Sequence, residues 1–180
     1  MKTYFFILVL ILVFIIGCNQ KQKQTEIETD GVANMKLTSP AFAHNEPIPS
    51  EYTCDGNDLS PPLVISDVPS DAKSLALVMD DPDAPVGTWD HWIVFNIPTS
   101  TRQIVKSTEA KGTNGRNSWG RTGYGGPCPP SGTHRYFFKL YALDTELNLH
   151  ESATKKDLER AMQGHILSKS ELIGTYKRSR

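Results

Sequence analysis

The chain has 180 residues, 38% of them hydrophobic and 22% charged, with 19 basic side chains against 20 acidic ones. That length supports one domain of about 150 residues with little left for a second, and the apolar content excludes wholesale disorder. A net charge of −1 leaves no basic excess to neutralise phosphates along a duplex, so no nucleic-acid partner is expected.

Lys2 and the amino terminus open the chain with positive charge, and residues 4–16 (YFFILVLILVFII) follow as an unbroken apolar run of thirteen. A membrane span needs about 20 such residues, whereas the shorter run fits the apolar stretch of a secretory signal peptide. It ends at Ile15-Ile16-Gly17-Cys18. A small residue directly before a cysteine resembles the bacterial lipobox, in which the thiol is acylated and the chain is cut just before it. The expectation is a lipoprotein signal peptide over residues 1–17, then a lipidated Cys18 and polar linker over 18–34. The folded domain over 35–180 is then membrane-anchored and extracytoplasmic, periplasmic or at the cell surface. An uncleaved signal anchor is the alternative. In an oxidising exterior the two remaining cysteines, Cys54 and Cys128, can pair and tie their loops together; otherwise they are two buried thiols.

With 13 Gly and 12 Pro, the chain favours strands and loops over a helical bundle. Residues 63–65, 75–79, 92–97 and 135–143 read as short strands, rich in branched and aromatic residues and bounded by Pro or Asp. Residues 74–79 and 92–97 are nearly unbroken apolar runs, as expected of strands covered on both faces. Thr154 with Asp157 three residues later predicts a capped helix start. Leu158, Ala161, Met162 and Ile166 then recur at helical spacing, with Gly164 as a cost of about 1 kcal/mol inside that stretch. Residues 171–176 predict a closing strand. Residues 111–133 break the pattern with seven Gly, three Pro and no apolar period. Loops of that length in a compact domain are usually functional or disordered, and Trp119 and Tyr124 argue for an ordered, functional one.

Three clusters carry candidate chemistry. Asp80-Asp81-Pro82-Asp83-Ala84-Pro85 follows a strand, and its prolines place the carboxylates on a stiff turn. His91-Trp92 opens the next strand. Gly126-Pro127-Cys128-Pro129-Pro130-Ser131-Gly132-Thr133-His134-Arg135-Tyr136 is a rigid turn that delivers His134 to another strand, where alternation puts His134, Tyr136 and Phe138 on one face. Two imidazoles and a phenol offer donors to an anion, and a carboxylate such as Asp81 that hydrogen-bonds His91 or His134 raises its pKa. Asp81, Asp83, His91 and His134 could alternatively hold a divalent metal. A hydrolase lacks its usual signal, because no G-x-S-x-G elbow is present and neither Ser118 nor Ser131 is paired with a histidine by sequence.

At these residues the sequence resembles the phosphatidylethanolamine-binding protein (PEBP) family, also called Raf kinase inhibitor-like proteins. The matching pieces are Asp81-Pro82-Asp83-Ala84-Pro85, His91 with Trp92-Ile93-Val94-Phe95-Asn96, and Gly126-Pro127 through His134-Arg135-Tyr136. Cys54-Asp55-Gly56, Ser60-Pro61-Pro62-Leu63 and Ala161-Met162-Gln163-Gly164-His165-Ile166 look like the bacterial branch. The resemblance implies a mostly β, antiparallel two-sheet fold with a few peripheral helices, one near the C-terminus. It implies a small anion pocket for phosphate-like or phospholipid head-group ligands, lined by Asp81, His91, His134 and Tyr136. Asp83 supports the turn, and Gly126, Pro129 and Pro130 form a wall. His165 has no assigned role beyond structure. The function implied is non-enzymatic binding without a cofactor. Inhibition of a protease or kinase partner is the second reading, and weak histidine- or metal-dependent hydrolysis the third. The family analogy leaves a homodimer open.

Overall fold

The structure is a computed structural model that describes residues 34–178. The expected signal peptide, Cys18 and nearly all of the expected polar linker lie outside the described residues. In chain order the elements are β1 (Lys36–Thr38), a 3-10 turn (Ser50–Tyr52), β2 (Leu63–Ser66), β3 (Ser74–Asp81) and β4 (Trp89–Ile97). Then come β5 (Gln103–Ile104), β6 (Thr113–Asn114), β7 (Thr133–Leu143), α1 (Lys155–Met162) and β8 (Ile166–Lys177). They form two sheets, β1-β2-β5 and β6-β4-β3-β7-β8, with every ladder antiparallel. No described helix is long and apolar enough to cross a membrane.

The larger sheet is the middle layer. On one face Leu75, Leu77 and Met79 of β3 pack with Leu37, Leu63, Ile65 and Ile104 of the smaller sheet. On the other, Ala76 and Val78 join Ile93 and Phe95 beneath Leu158 and Met162 of α1. A strand buried on both sides has no polar face to keep, which is why β3 reads as a continuous apolar run. Each of its large side chains contributes about 1.5–3 kcal/mol by leaving water.

Two elements end differently from the sequence reading. Strand β3 runs on through Asp80 and Asp81, so both carboxylates are buried strand residues and not part of the turn after it. Helix α1 starts as expected, with Thr154 and Asp157 forming a reciprocal capping box, but it stops at Met162. Gly164 takes a φ of 80°, the left-handed conformation that commonly terminates helices. It is therefore the stop signal, not a defect within the helix. Ile166 belongs to β8 and is largely exposed. His165 lies in the connection, with Nδ1 2.8 Å from Asp144 Oδ1.

Candidate functional site

Three strand ends meet at one end of the large sheet. In the order β4-β3-β7 the last residues of β3 lie beside the first residues of β4 and β7, with Asp81 opposite Trp89 and Asp80 opposite Phe137. Between β3 and β4 the register steps from Met79↔Trp92 to Asp80↔Asp90, which leaves His91 as an extra residue on β4. Such a bulge re-aims side chains. Here Trp92 packs in the inter-sheet core and the His91 ring meets Tyr136 of that core, while Asp90 joins Lys155 of α1 at 3.3 Å. On β7 the expected alternation holds, with His134, Tyr136 and Phe138 buried.

Asp81 organises the buried end. Its Oδ2 accepts from His134 Nδ1 at 2.8 Å and its Oδ1 accepts from the Asp83 backbone N–H at 2.8 Å. His91 Nδ1 donates to the Gly125 carbonyl at 2.7 Å, and its ring stands edge-on to Tyr136, centroids 5.2 Å apart, and to Trp119 at 5.0 Å. A carbonyl can only accept, so His91 carries its proton on Nδ1 and Nε2 is left for a ligand. Burial pushes the His91 pKa below its ordinary value, opposed by the Gly125 hydrogen bond and the Asp81 charge. The expectation of a raised pKa therefore does not hold for this histidine, because desolvation outweighs the carboxylate. The Tyr136 hydroxyl is sealed from solvent without a hydrogen bond of ordinary geometry. Burial, then the charge of Asp81, raises its pKa far above the phenolic value.

These groups floor a cavity of about 270 Å³. Asp81, His91 and His134 are its buried end; Ala84, Pro85, Val86, Trp89, Trp119, Cys128 and Pro130 form the walls and mouth. No Lys or Arg lines it. Cys128 is disulfide-bonded to Cys54, with Cα atoms 5.4 Å apart, so the paired reading of the two cysteines holds and the bridge fastens this wall.

The remaining expected site residues fall behind the cavity or beside it. Tyr136 supports His91 from below. Pro130 lines the wall while Pro129 is buried behind it. Gly126 also lies behind: its N–H donates to Asp58 Oδ1 at 2.6 Å, and a Cβ there would sit 2.6 Å from the Tyr52 carbonyl oxygen. Asp83 turns away from the cavity. Its carboxylate is gripped by Arg135, from Nη2 at 2.7 Å and Nε at 2.9 Å, with the Arg135 backbone N–H at 3.0 Å. Arg135 holds its pKa down to about 2. Asp81, Asp83, His91 and His134 thus do not converge, and no group of three or more His, Cys, Asp or Glu side chains among the described residues is placed to hold a metal. Trp89 and Trp119 were not foreseen as lining residues. The available signal was the glycine-rich setting of Trp119, since a Cβ on Gly125 would come within 2.5 Å of its ring.

An antiparallel two-sheet β fold with a polar-floored pocket at one end of the larger sheet is the class that these features define. The chain belongs to the phosphatidylethanolamine-binding protein family, whose model matches residues 38–177. It is 51% identical over 150 residues to a UPF0098 protein of Methanothermobacter thermautotrophicus, covering 80% of this chain and 99% of that one. A UPF0098 protein of Aquifex aeolicus is 50% identical over 156 residues, covering 82% and 91%. Among solved structures, a putative PEBP homologue from Chlamydia trachomatis matches with a TM-score of 0.80 and 45% identity over 82% of this chain and 99% of that one. YbcL of Escherichia coli, described as a new member of the mammalian PEBP family, matches at 0.75 with 30% identity over 82% of this chain and all of its own.

Proposed function

We propose that the protein is a non-enzymatic binding protein whose pocket seats a small phosphate-like anion, free or as a phospholipid head group. The observation that supports this most directly is the pair of buried imidazoles at the cavity floor, each committed through Nδ1, His91 to Gly125 and His134 to Asp81. With no Lys or Arg in the lining, the donor to an anion is the Nε2–H that an imidazole gains on protonation, since each Nδ1–H is already given to the protein. Protonation of His91 in the presence of the anion then strengthens binding as pH falls below the ordinary histidine range. The Ser118 hydroxyl accepts from the Asp90 N–H at 2.9 Å and so helps to hold the loop to β4. The Gly17-Cys18 junction supports placing this pocket outside the cytoplasmic membrane on a lipid anchor.

The test is thermal unfolding titrated with inorganic phosphate and with phosphoethanolamine. A ligand at about 100 times its Kd adds about 2.7 kcal/mol of stability. The expected result is a rise in Tm in the parent and in His165→Ala, and none in a His91→Ala, His134→Ala double variant. Equal shifts in all three would remove the site assignment. Incorporation of labelled palmitate that disappears in Cys18→Ala tests the anchor.

A further inference from the structure

Resting on that anion seat, we propose that the ligand is an anionic monoester bearing a ring-sized apolar substituent, and that Trp119 and Val86 form the subsite that selects it.

The cavity is polar at one end only. Beyond the Asp81, His91 and His134 floor its lining is apolar, and the volume of about 270 Å³ exceeds a bare phosphate several-fold on the scale of about 30 Å³ for one water. At the mouth Val86 is 76% exposed and Trp119 43% exposed. An indole left partly in water forfeits burial that a side chain of this size normally gains. Trp119 is nevertheless fixed in that position. The Ser118 N–H donates to the Asp90 carbonyl at 2.9 Å while the Asp90 N–H donates to Ser118 Oγ at 2.9 Å, stapling the loop to β4. Buried Asn117 accepts from the Trp119 N–H at 3.1 Å and the Arg121 N–H at 3.3 Å, and donates to the Gly123 carbonyl at 3.2 Å. Beneath the ring, Gly125 removes the Cβ that would meet it, Trp89 and His91 meet it edge-on with centroids 5.4 and 5.0 Å away, and the Arg121 guanidinium lies over it at 5.7 Å.

The loop thus holds an aromatic side chain rigidly at the mouth of a cavity larger than its polar floor requires. A preformed apolar wall costs little ordering on binding, so the gain from covering it appears as affinity. A bare phosphate fills the floor and leaves the wall wet; a monoester whose substituent is ring-sized fills both.

The experiment is calorimetric titration of the protein with inorganic phosphate and with phenyl phosphate, read as the ratio of the two Kd values. Burial of one ring face against the wall predicts phenyl phosphate about tenfold tighter. Trp119→Ala lowers the ratio at least about fivefold, Trp119→Phe retains most of it, and Val105→Ser, on a distant exposed loop, leaves it unchanged. Because Val86 is 76% exposed, Val86→Ser keeps the fold and lowers the ratio too, so the answer does not depend on Trp119→Ala folding. Phosphate binding with no phenyl advantage, or an advantage that survives both substitutions, overturns the subsite alone. Binding of neither probe overturns the anion seat and this inference with it.

Discussion

Asp80 and Asp81 are consecutive residues of β3 whose carboxylates serve opposite faces of the same sheet. Asp81 faces the inter-sheet side and meets His134 Nδ1 at 2.8 Å; Asp80 faces α1 and is held by Lys139 Nζ at 2.8 Å and by Lys155 Nζ. Strand alternation alone separates them. One carboxylate shapes the pocket, and the other fastens β7 and the start of α1 to the central strand.

The two substitutions therefore separate stability from binding. Asp80→Asn leaves the Lys155 ammonium with Asp90 and Glu159 as its remaining partners and takes from Lys139 the carboxylate it is paired with. Breaking a buried pair from one side costs about 3 kcal/mol, so the urea midpoint falls while the phosphate-induced Tm shift of the folded protein persists. Asp81→Asn costs about 1 kcal/mol of stability: its one amide oxygen keeps the Asp83 N–H, but its NH2 replaces the oxygen that accepted from His134 Nδ1, which frees that ring and suppresses the ligand-induced shift. Identical profiles for the two variants would contradict the division.

Acid titration of stability should show two separable losses. Burial holds His91 below its ordinary pKa of 6.5. As pH falls past 6.5 the unfolded chain therefore binds a proton that the folded chain refuses, and stability drops. Asp83 is held near 2 by Arg135 against an ordinary 3.8, so its contribution is present above 3.8 and disappears between about 3.8 and 2. His91→Asn removes the upper loss and Asp83→Asn the lower one. Chemical denaturation at half-unit pH steps checks both.

Much of this site was legible because it follows local rules. Alternation put His134 and Tyr136 on one face, and Thr154 with Asp157 marked the start of α1. What was hidden depends on contacts across long separations. The grip of Arg135 on Asp83 spans 52 residues and turns Asp83 out of the pocket, and no local pattern distinguishes that carboxylate from Asp81. The bulge at His91 is a property of a strand pair, invisible in either strand alone. Gly164 was misread because a glycine in an apolar periodic stretch is ambiguous until the backbone reveals its positive φ.

The Cys54–Cys128 bridge closes a loop spanning 74 positions. Chain entropy assigns such a link about 4.5 kcal/mol of stability. The pocket wall also has its own ties, from the Cys54 N–H to the Pro127 carbonyl at 3.1 Å and from the Gly126 N–H to Asp58 Oδ1 at 2.6 Å. Reduction, or the Cys54→Ser, Cys128→Ser double variant, should lower stability by about that amount while changing phosphate affinity less than about threefold. A collapse of affinity at constant stability would show that the bridge, and not these hydrogen bonds, shapes the wall.

Gly125→Ala is the most selective probe of the pocket mouth. The carbonyl of residue 125 still receives His91 Nδ1, and no charge changes. The added Cβ, however, lies 2.5 Å from Trp119 Cζ3, closer than any side chain tolerates. Gly125 does not have the positive φ that would strain an alanine backbone, so the ring is what must move. Overpacking of this kind costs about 1–3 kcal/mol when it is confined, but Trp119 can swing outward into solvent, which keeps the loss at the lower end. The expected signature is a red-shifted Trp emission, a stability loss of about 1 kcal/mol, and a fall in the phenyl phosphate advantage matching that of Trp119→Ala. Unchanged emission with an unchanged advantage would mean that the backbone yields instead, and that the ring's position owes more to the Asn117 and Ser118 hydrogen bonds than to the space beneath it.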